Sequence, residues 1–149
     1  MKLIIACDHG GYLLKKEILN ALKESKIAFE DLGCDSENSV DYPDYAGLVA
    51  SRVSRGEADR GILVCGTGVG MAIAANKFRG VRAAALTDPF SARMAREHND
   101  LNVLCLGGRV MGPGPAKELV EIFLNTPFAG GRHEARISKI KKLEQKNCK

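Results

Sequence analysis

No apolar run in this 149-residue sequence approaches the roughly 20 residues that a membrane-crossing helix needs, which argues against an integral membrane protein. Residues 1–5 pass straight into a strand-like stretch. The basic region, long apolar core and cleavage site of a secretory leader are missing, so a cytoplasmic location is expected. The five cysteines contain no C-x-x-C pair, and nothing in their spacing resembles a zinc or disulfide framework. The three histidines, His9, His98 and His133, include no i, i+4 pair, so no structural metal is expected. Aromatic residues are absent from positions 130–149, although that stretch holds seven Lys/Arg against two Glu. The net charge of +4 is therefore a carboxy-terminal property, and residues 1–129 carry −1. A nucleic-acid binder more often shows a basic face with interleaved aromatics. Internal repeats, low-complexity segments and an interdomain linker are also missing. Residues 1–149 are read as one domain, long enough to bury roughly two-thirds of its unfolded surface.

What is present is a rhythm. Residues 2–7 (KLIIAC) are a near-continuous apolar run, as in a parallel strand buried on both faces. After the turn Asp8-His9-Gly10-Gly11, Leu14, Ile18 and Leu22 recur at helical spacing over 12–26. Further strands are expected at 27–32, 61–65, 81–86 and 102–106. Further helices are expected at 45–55, entered through Asp41-Tyr42-Pro43-Asp44, and at 71–78, 90–97 and 115–124, with a basic terminal helix at 134–146. This alternation predicts an α/β protein: a Rossmann-like three-layer αβα sandwich around a five-stranded, mostly parallel sheet with right-handed crossovers.

The stretch from Gly61 to Lys77, GILVCGTGVGMAIAANK, reads as strand, tight glycine-rich turn and helix. Its glycines permit close backbone approach and positive φ. The helix start offers unpaired N–H groups and a partial positive charge, so an anion or developing anion is the natural guest. Gly66-x-Gly68-x-Gly70 is neither the dinucleotide G-x-G-x-x-G nor a P-loop. Cys65 distinguishes the turn, because a thiol beside a helix N-terminus can be tuned toward thiolate. The same residues also suit a structural connection around an inert buried cysteine.

Ligands of open parallel sheets bind outside the carboxyl ends of the strands. That rule selects Asp8-His9, Cys65-Gly66-Thr67 and Gly107-Gly108-Arg109. Cys65 then suits either a nucleophile with His9 as its base, or a general base removing a proton α to a carbonyl. In the second role the donors of residues 66–70, with the Thr67 hydroxyl, would hold the enolate oxygen. Asp8 reads equally as a helix N-cap with His9 merely exposed. His98-Asn99 closes a helix, where a histidine is favourable anyway. Arg132 and Arg136, at i, i+4, would make a phosphate clamp or form a solvated basic face.

Taken together, Asp8-His9-Gly10, Cys65 to Gly70, Asn76-Lys77, Glu97-His98-Asn99-Asp100, Gly108-Arg109-Val110 and Gly131-Arg132-His133 resemble the ribose-5-phosphate isomerase B family, within the wider ribose/galactose-type sugar-phosphate isomerases. The resemblance runs in order over essentially the whole chain. It implies an aldose–ketose isomerase of the non-oxidative pentose phosphate pathway, working through an enediolate with no metal or organic cofactor. It also implies catalytic roles for Cys65, His98, Asp8 and Thr67. Cys65 would be the general base, Gly66, Thr67, Gly68, Val69 and Gly70 the enediolate cradle, and His98 the group assisting ring opening. Asp8 would orient the reacting end or shuttle protons there. His9, Arg132 and Arg136 would hold the phosphate, with Asn99 and Arg109 completing the sugar and phosphate contacts. The phosphate thereby moves from the glycine loop, where the residues alone would put it, to the arginines.

His98 precedes a strand whereas Cys65 ends one, so the two are expected at opposite ends of the sheet. The family's dimeric habit suggests that His98 and Asn99 serve a partner's active site in a homodimer or dimer of dimers. Other expectations stay open. An isomerase of six-carbon sugar phosphates would differ in substrate, although galactose-type relatives work as two different chains and this one carries both Cys65 and His98. A non-catalytic nucleotide-binding module would need no thiol at position 65. A nucleic-acid binder acting through the basic tail would show strongly salt-dependent binding.

Overall fold

Successive side chains of a strand point to opposite faces, so each apolar strand of this chain feeds two cores at once. In the computed structural model, which describes residues 1–147, the elements follow as β1 (Leu3–Cys7), α1 (Tyr12–Glu24), β2 (Phe29–Asp31), α2 (Tyr42–Ser54), β3 (Arg60–Cys65), α3 (Val69–Ala75), β4 (Ala83–Ala85), α4 (Pro89–Asn99), β5 (Val103–Gly107), α5 (Pro113–Asn125) and α6 (Arg132–Asn147). One core gathers Leu3, Ile5, Ile62, Val64, Leu104 and Leu106 under α1, α4 and α5. The other gathers Ile4, Ala6, Leu63, Cys65, Val103 and Cys105 under α2 and α3. The three layers expected from the alternation are therefore present. Each fully buried Leu or Ile contributes about 1.5–3 kcal/mol relative to exposure. Among the described residues no helix is long and apolar enough to cross a membrane.

The strand order is β2-β1-β3-β5-β4, and every pairing is parallel. From β1 the chain moves outward to β2, then returns past β1 to β3. The direction of winding reverses between β1 and β3, which opens a crevice at their carboxyl ends. Cys7 stands opposite Val64, so Asp8 and Cys65 emerge side by side.

Local chemistry shifts several boundaries from those expected. The second strand is confined to Phe29–Asp31, because α1 ends with Lys26 at φ 55° and the Ile27 N–H bonded back to Leu22. That termination consumes the residues before it. The second helix starts at Tyr42, within the entry expected at Asp41-Tyr42-Pro43-Asp44, since Pro43 in the first turn sacrifices no internal hydrogen bond. At α4 the Asp88 carboxylate accepts the Ser91 N–H at 2.7 Å, which holds its pKa below the usual carboxylate value. The edge strand β4 is covered in part by Asn76. Its amide accepts the Ala83 N–H at 2.9 Å and donates to the Ala83 carbonyl at 2.8 Å, blunting an exposed ladder edge.

Candidate active site

Three loops, following β1, β3 and β5, lock together at the carboxyl end of the sheet. Asp8 N–H donates to the Val64 carbonyl at 3.1 Å, Gly108 N–H to Cys65 at 2.7 Å, and Arg109 N–H to Gly66 at 3.0 Å. The fit leaves no room for side chains: a Cβ on Gly108 would stand 2.6 Å from the Gly10 carbonyl oxygen. Gly68 has φ 80°, which turns the chain from β3 into α3. That turn aims the Gly68 N–H at Cys65 Sγ, 3.1 Å away. Among the described cysteines Cys65 is the one whose sulfur accepts a backbone N–H. Cys105, beneath it, is driven upward in pKa by burial and then by Cys65, so it stays a protonated thiol.

Around this sulfur the structure gathers much of the expected set. The Asp8 carboxylate, 7% exposed, accepts the Gly11 N–H at 3.1 Å. His9 Nδ1 lies 3.2 Å from the Val40 amide nitrogen. Nδ1 is equally 3.2 Å from the Val40 carbonyl oxygen, so the Val40 backbone holds the ring in place in either tautomer. Thr67 is exposed and its Oγ1 accepts the Val69 N–H at 3.4 Å. The exposed Arg109 side chain runs alongside Gly66. A cavity of about 230 Å³ opens between His9, Gly10, Leu13, Glu37, Gly108 and Arg109. It offers an imidazole and a guanidinium within one opening, next to the sulfur-bearing loop.

His98, Asn99, Arg132 and Arg136 form a second group elsewhere. His98 lies in the last turn of α4, and its ring stacks on His133 with centroids 4.1 Å apart and planes 9° from parallel. The Ala129 N–H donates to the Glu97 carbonyl, fixing the start of α6 beside that turn. The group sits where β5 begins, whereas Gly107 at its end pairs with Cys65. At about 3.3 Å per residue, β5 keeps the two groups about 15 Å apart within one chain. Burial, then the neighbouring His98, Arg132 and Arg136, push the His133 pKa down.

The sequence model of the Ribose/Galactose Isomerase family matches residues 3–140. The chain belongs to this family. It is 48% identical over 145 residues to ribose-5-phosphate isomerase B of Escherichia coli, covering 97% of both chains. It superposes on Clostridium thermocellum ribose-5-phosphate isomerase B with a TM-score of 0.95 at 51% identity, covering 98% of this chain and 99% of that one. It also superposes on Mycoplasma genitalium ribose-5-phosphate isomerase B, solved with bound ribulose 5-phosphate, with a TM-score of 0.93 at 43% identity, covering 98% and 97%.

This ribose/galactose isomerase also brings residues to the two groups that motif reading passed over. The Tyr42 ring lies so close to Gly70 that a Cβ there would meet it at 2.8 Å. In the sequence Tyr42 signalled only a helix start. Glu37 lines the cavity from a polar loop with no pattern of its own. His133 was visible within Gly131-Arg132-His133, but nothing in the spacing pairs it with His98.

Proposed function

We propose that this ribose/galactose isomerase interconverts D-ribose 5-phosphate and D-ribulose 5-phosphate through an enediolate. The observation that carries the reading is Cys65 at the β1–β3 crevice with the Gly68 N–H on its sulfur. The likeness to ribose-5-phosphate isomerases B, one of them holding ribulose 5-phosphate, supports the substrate. The Cys65 thiolate takes the proton from carbon 2 of the open-chain aldose. The C–H electrons form the carbon 1–carbon 2 double bond, and the carbonyl oxygen becomes an oxyanion. Donors of residues Gly66 to Gly70 and the Thr67 hydroxyl stabilise that charge. The hydroxyl proton on carbon 2 passes to the oxygen on carbon 1, and return of the first proton to carbon 1 gives the ketose, with Asp8 orienting the reacting end or relaying protons. His9 and Arg109 face the cavity as anion and sugar ligands, and neither a metal nor an organic cofactor is required.

The active site is shared between two subunits. Ring opening by His98, with contacts from Asn99, Arg132 and Arg136, is supplied by the partner, since about 15 Å of strand separates them from Cys65 in their own chain. Exposed apolar side chains support such a pairing: Val69 and Ile73 on α3, and Ile140 and Leu143 on α6. Mixing Cys65→Ala and His98→Ala proteins restores part of the activity; no recovery after verified subunit exchange refutes the shared site.

The primary test measures isomerisation of ribose 5-phosphate in EDTA. Wild type stays active, and Cys65→Ala falls by about 10²–10⁴-fold or more, the usual contribution of a positioned acid–base group. Full activity in the mutant removes Cys65 from its role. An inactive wild type that turns over six-carbon aldose phosphates reassigns the substrate and leaves the chemistry standing.

A further inference from the structure

Two thiols with no part in the proposed catalysis face each other beside the crevice. Cys7 closes β1 and Cys34 opens the loop after β2, and their backbones are already paired. Cys7 N–H donates to the Gly33 carbonyl at 2.7 Å and Cys34 N–H to the Cys7 carbonyl at 3.0 Å. The sulfurs are 3.7 Å apart. A disulfide needs about 2.05 Å, so closure requires side-chain rotation and a small shift of one backbone. Cys7 is fixed in the central sheet and fully buried, which leaves the loop to move.

That loop is tied to the crevice at both ends. Cys7 is followed directly by Asp8. Farther along, the Val40 backbone holds the His9 ring. Between them Lys15 Nζ donates to the Cys34 carbonyl at 3.0 Å and to Asp31 at 2.6 Å, anchoring the loop in its present place.

We propose that Cys7 and Cys34 form a reversible oxidation site, converted by a hydroperoxide to a disulfide that displaces the Asp8-His9 side of the crevice. The Cys34 sulfur attacks the peroxide. The O–O bond breaks, one oxygen stays on sulfur as a sulfenic acid, and the other leaves as water or alcohol. The Cys7 sulfur then attacks Cys34 Sγ. An S–S bond forms, the S–O bond breaks, and the departing hydroxide leaves as water with the Cys7 proton. Two thiols lose two electrons and the peroxide gains them, and a dithiol reverses the change. Burial raises the Cys7 pKa, opposed by the Lys15 ammonium. The crosslink stands independently of the isomerase reading; its kinetic effect rests on that reading.

The test treats the folded, full-length protein with hydrogen peroxide, blocks free thiols by alkylation and maps peptides by mass. The expected product joins the Cys7 and Cys34 peptides, two hydrogens lighter than the free pair, and dithiothreitol restores both. KM for ribose 5-phosphate, read on the sites whose Cys65 is still reduced, rises several-fold on crosslinking. Cys34→Ser matches wild type before oxidation, forms no such crosslink and keeps its KM afterwards; Cys34→Ala replaces it if serine unsettles the loop. Oxidation of Cys65 inactivates both proteins alike and cancels in the comparison. The proposal is overturned if doses that fully oxidise Cys65 yield no Cys7–Cys34 peptide, or if KM rises equally in the variant.

Discussion

Replacing Gly68 by alanine tests the geometry on which the proposed chemistry depends. Gly68 sits at φ 80°, ψ −22°, where an L-residue with a Cβ costs about 1–2 kcal/mol. An added Cβ would also stand 3.1 Å from the Leu106 carbonyl carbon and 3.2 Å from that of Cys105. Both neighbours belong to β5 and are fully buried, so the turn has to give way and not the strand. Strain and crowding together amount to about 2 kcal/mol, or a fall in Tm of about 4–8 °C for a chain of this size. The displaced N–H no longer aims at Cys65 Sγ. Removing one preorganised donor from developing charge costs about 10²–10³ in rate, and a partly displaced donor costs about 10–100-fold. The loss falls on kcat, since the cavity lined by His9 and Arg109 is untouched. Calorimetry and steady-state kinetics of Gly68→Ala give both numbers, and Gly68→Asn, which tolerates positive φ better, is expected to fall between alanine and wild type. A Gly68→Ala protein with unchanged Tm and a kcat within about twofold of wild type would mean that the N–H to sulfur contact has no catalytic consequence.

Lys15 and Asp31 give an unequal pair of effects. The Lys15 side chain is 2% exposed and Asp31 28%, so Asp31→Ala strands a buried cation and costs about 3–5 kcal/mol. Lys15→Met returns Asp31 to water, keeps the packing and costs about 2 kcal/mol. Denaturant unfolding decides the order, and a larger loss for Lys15→Met contradicts the burial argument. The depressed His133 pKa makes stability depend on pH. The unfolded chain binds the proton first, so this contribution is complete above its ordinary value of about 6.5 and is lost as pH falls through that value toward the lower folded one. Melting curves from neutral to mildly acidic pH are expected to show this loss in wild type and less of it in His133→Asn.

Periodicity and strand-end chemistry made most of the architecture legible beforehand. The runs at 2–7, 61–65 and 102–106 are apolar at every position that meets a core, and only a two-faced buried strand demands that. The cysteine–glycine stretch was legible as a strand-to-helix turn, but its residues alone suited a structural connection as well as an anion site. Short elements were less legible. Residues 27–28 have strand character, yet the left-handed Lys26 and the Ile27 to Leu22 bond draw them into the end of α1. Propensity is a weak prior against a hydrogen-bonded helix terminus.

The sequence by itself determined which chemistry the chain carries: a thiol, an imidazole, an acid and arginines set among flexible turns. Side-chain type and local spacing are local properties, and no distant contact changes them. Tertiary structure decided which of these groups meet. The order β2-β1-β3-β5-β4 puts Asp8 beside Cys65 and interlocks three loops around it. The same order leaves His98, Arg132 and Arg136 a strand's length away, and brings Cys7 to Cys34 and His98 to His133. Those pairings join residues 27 and 35 positions apart. Only the crossover of the chain through the sheet brings such residues together, and no local pattern records it.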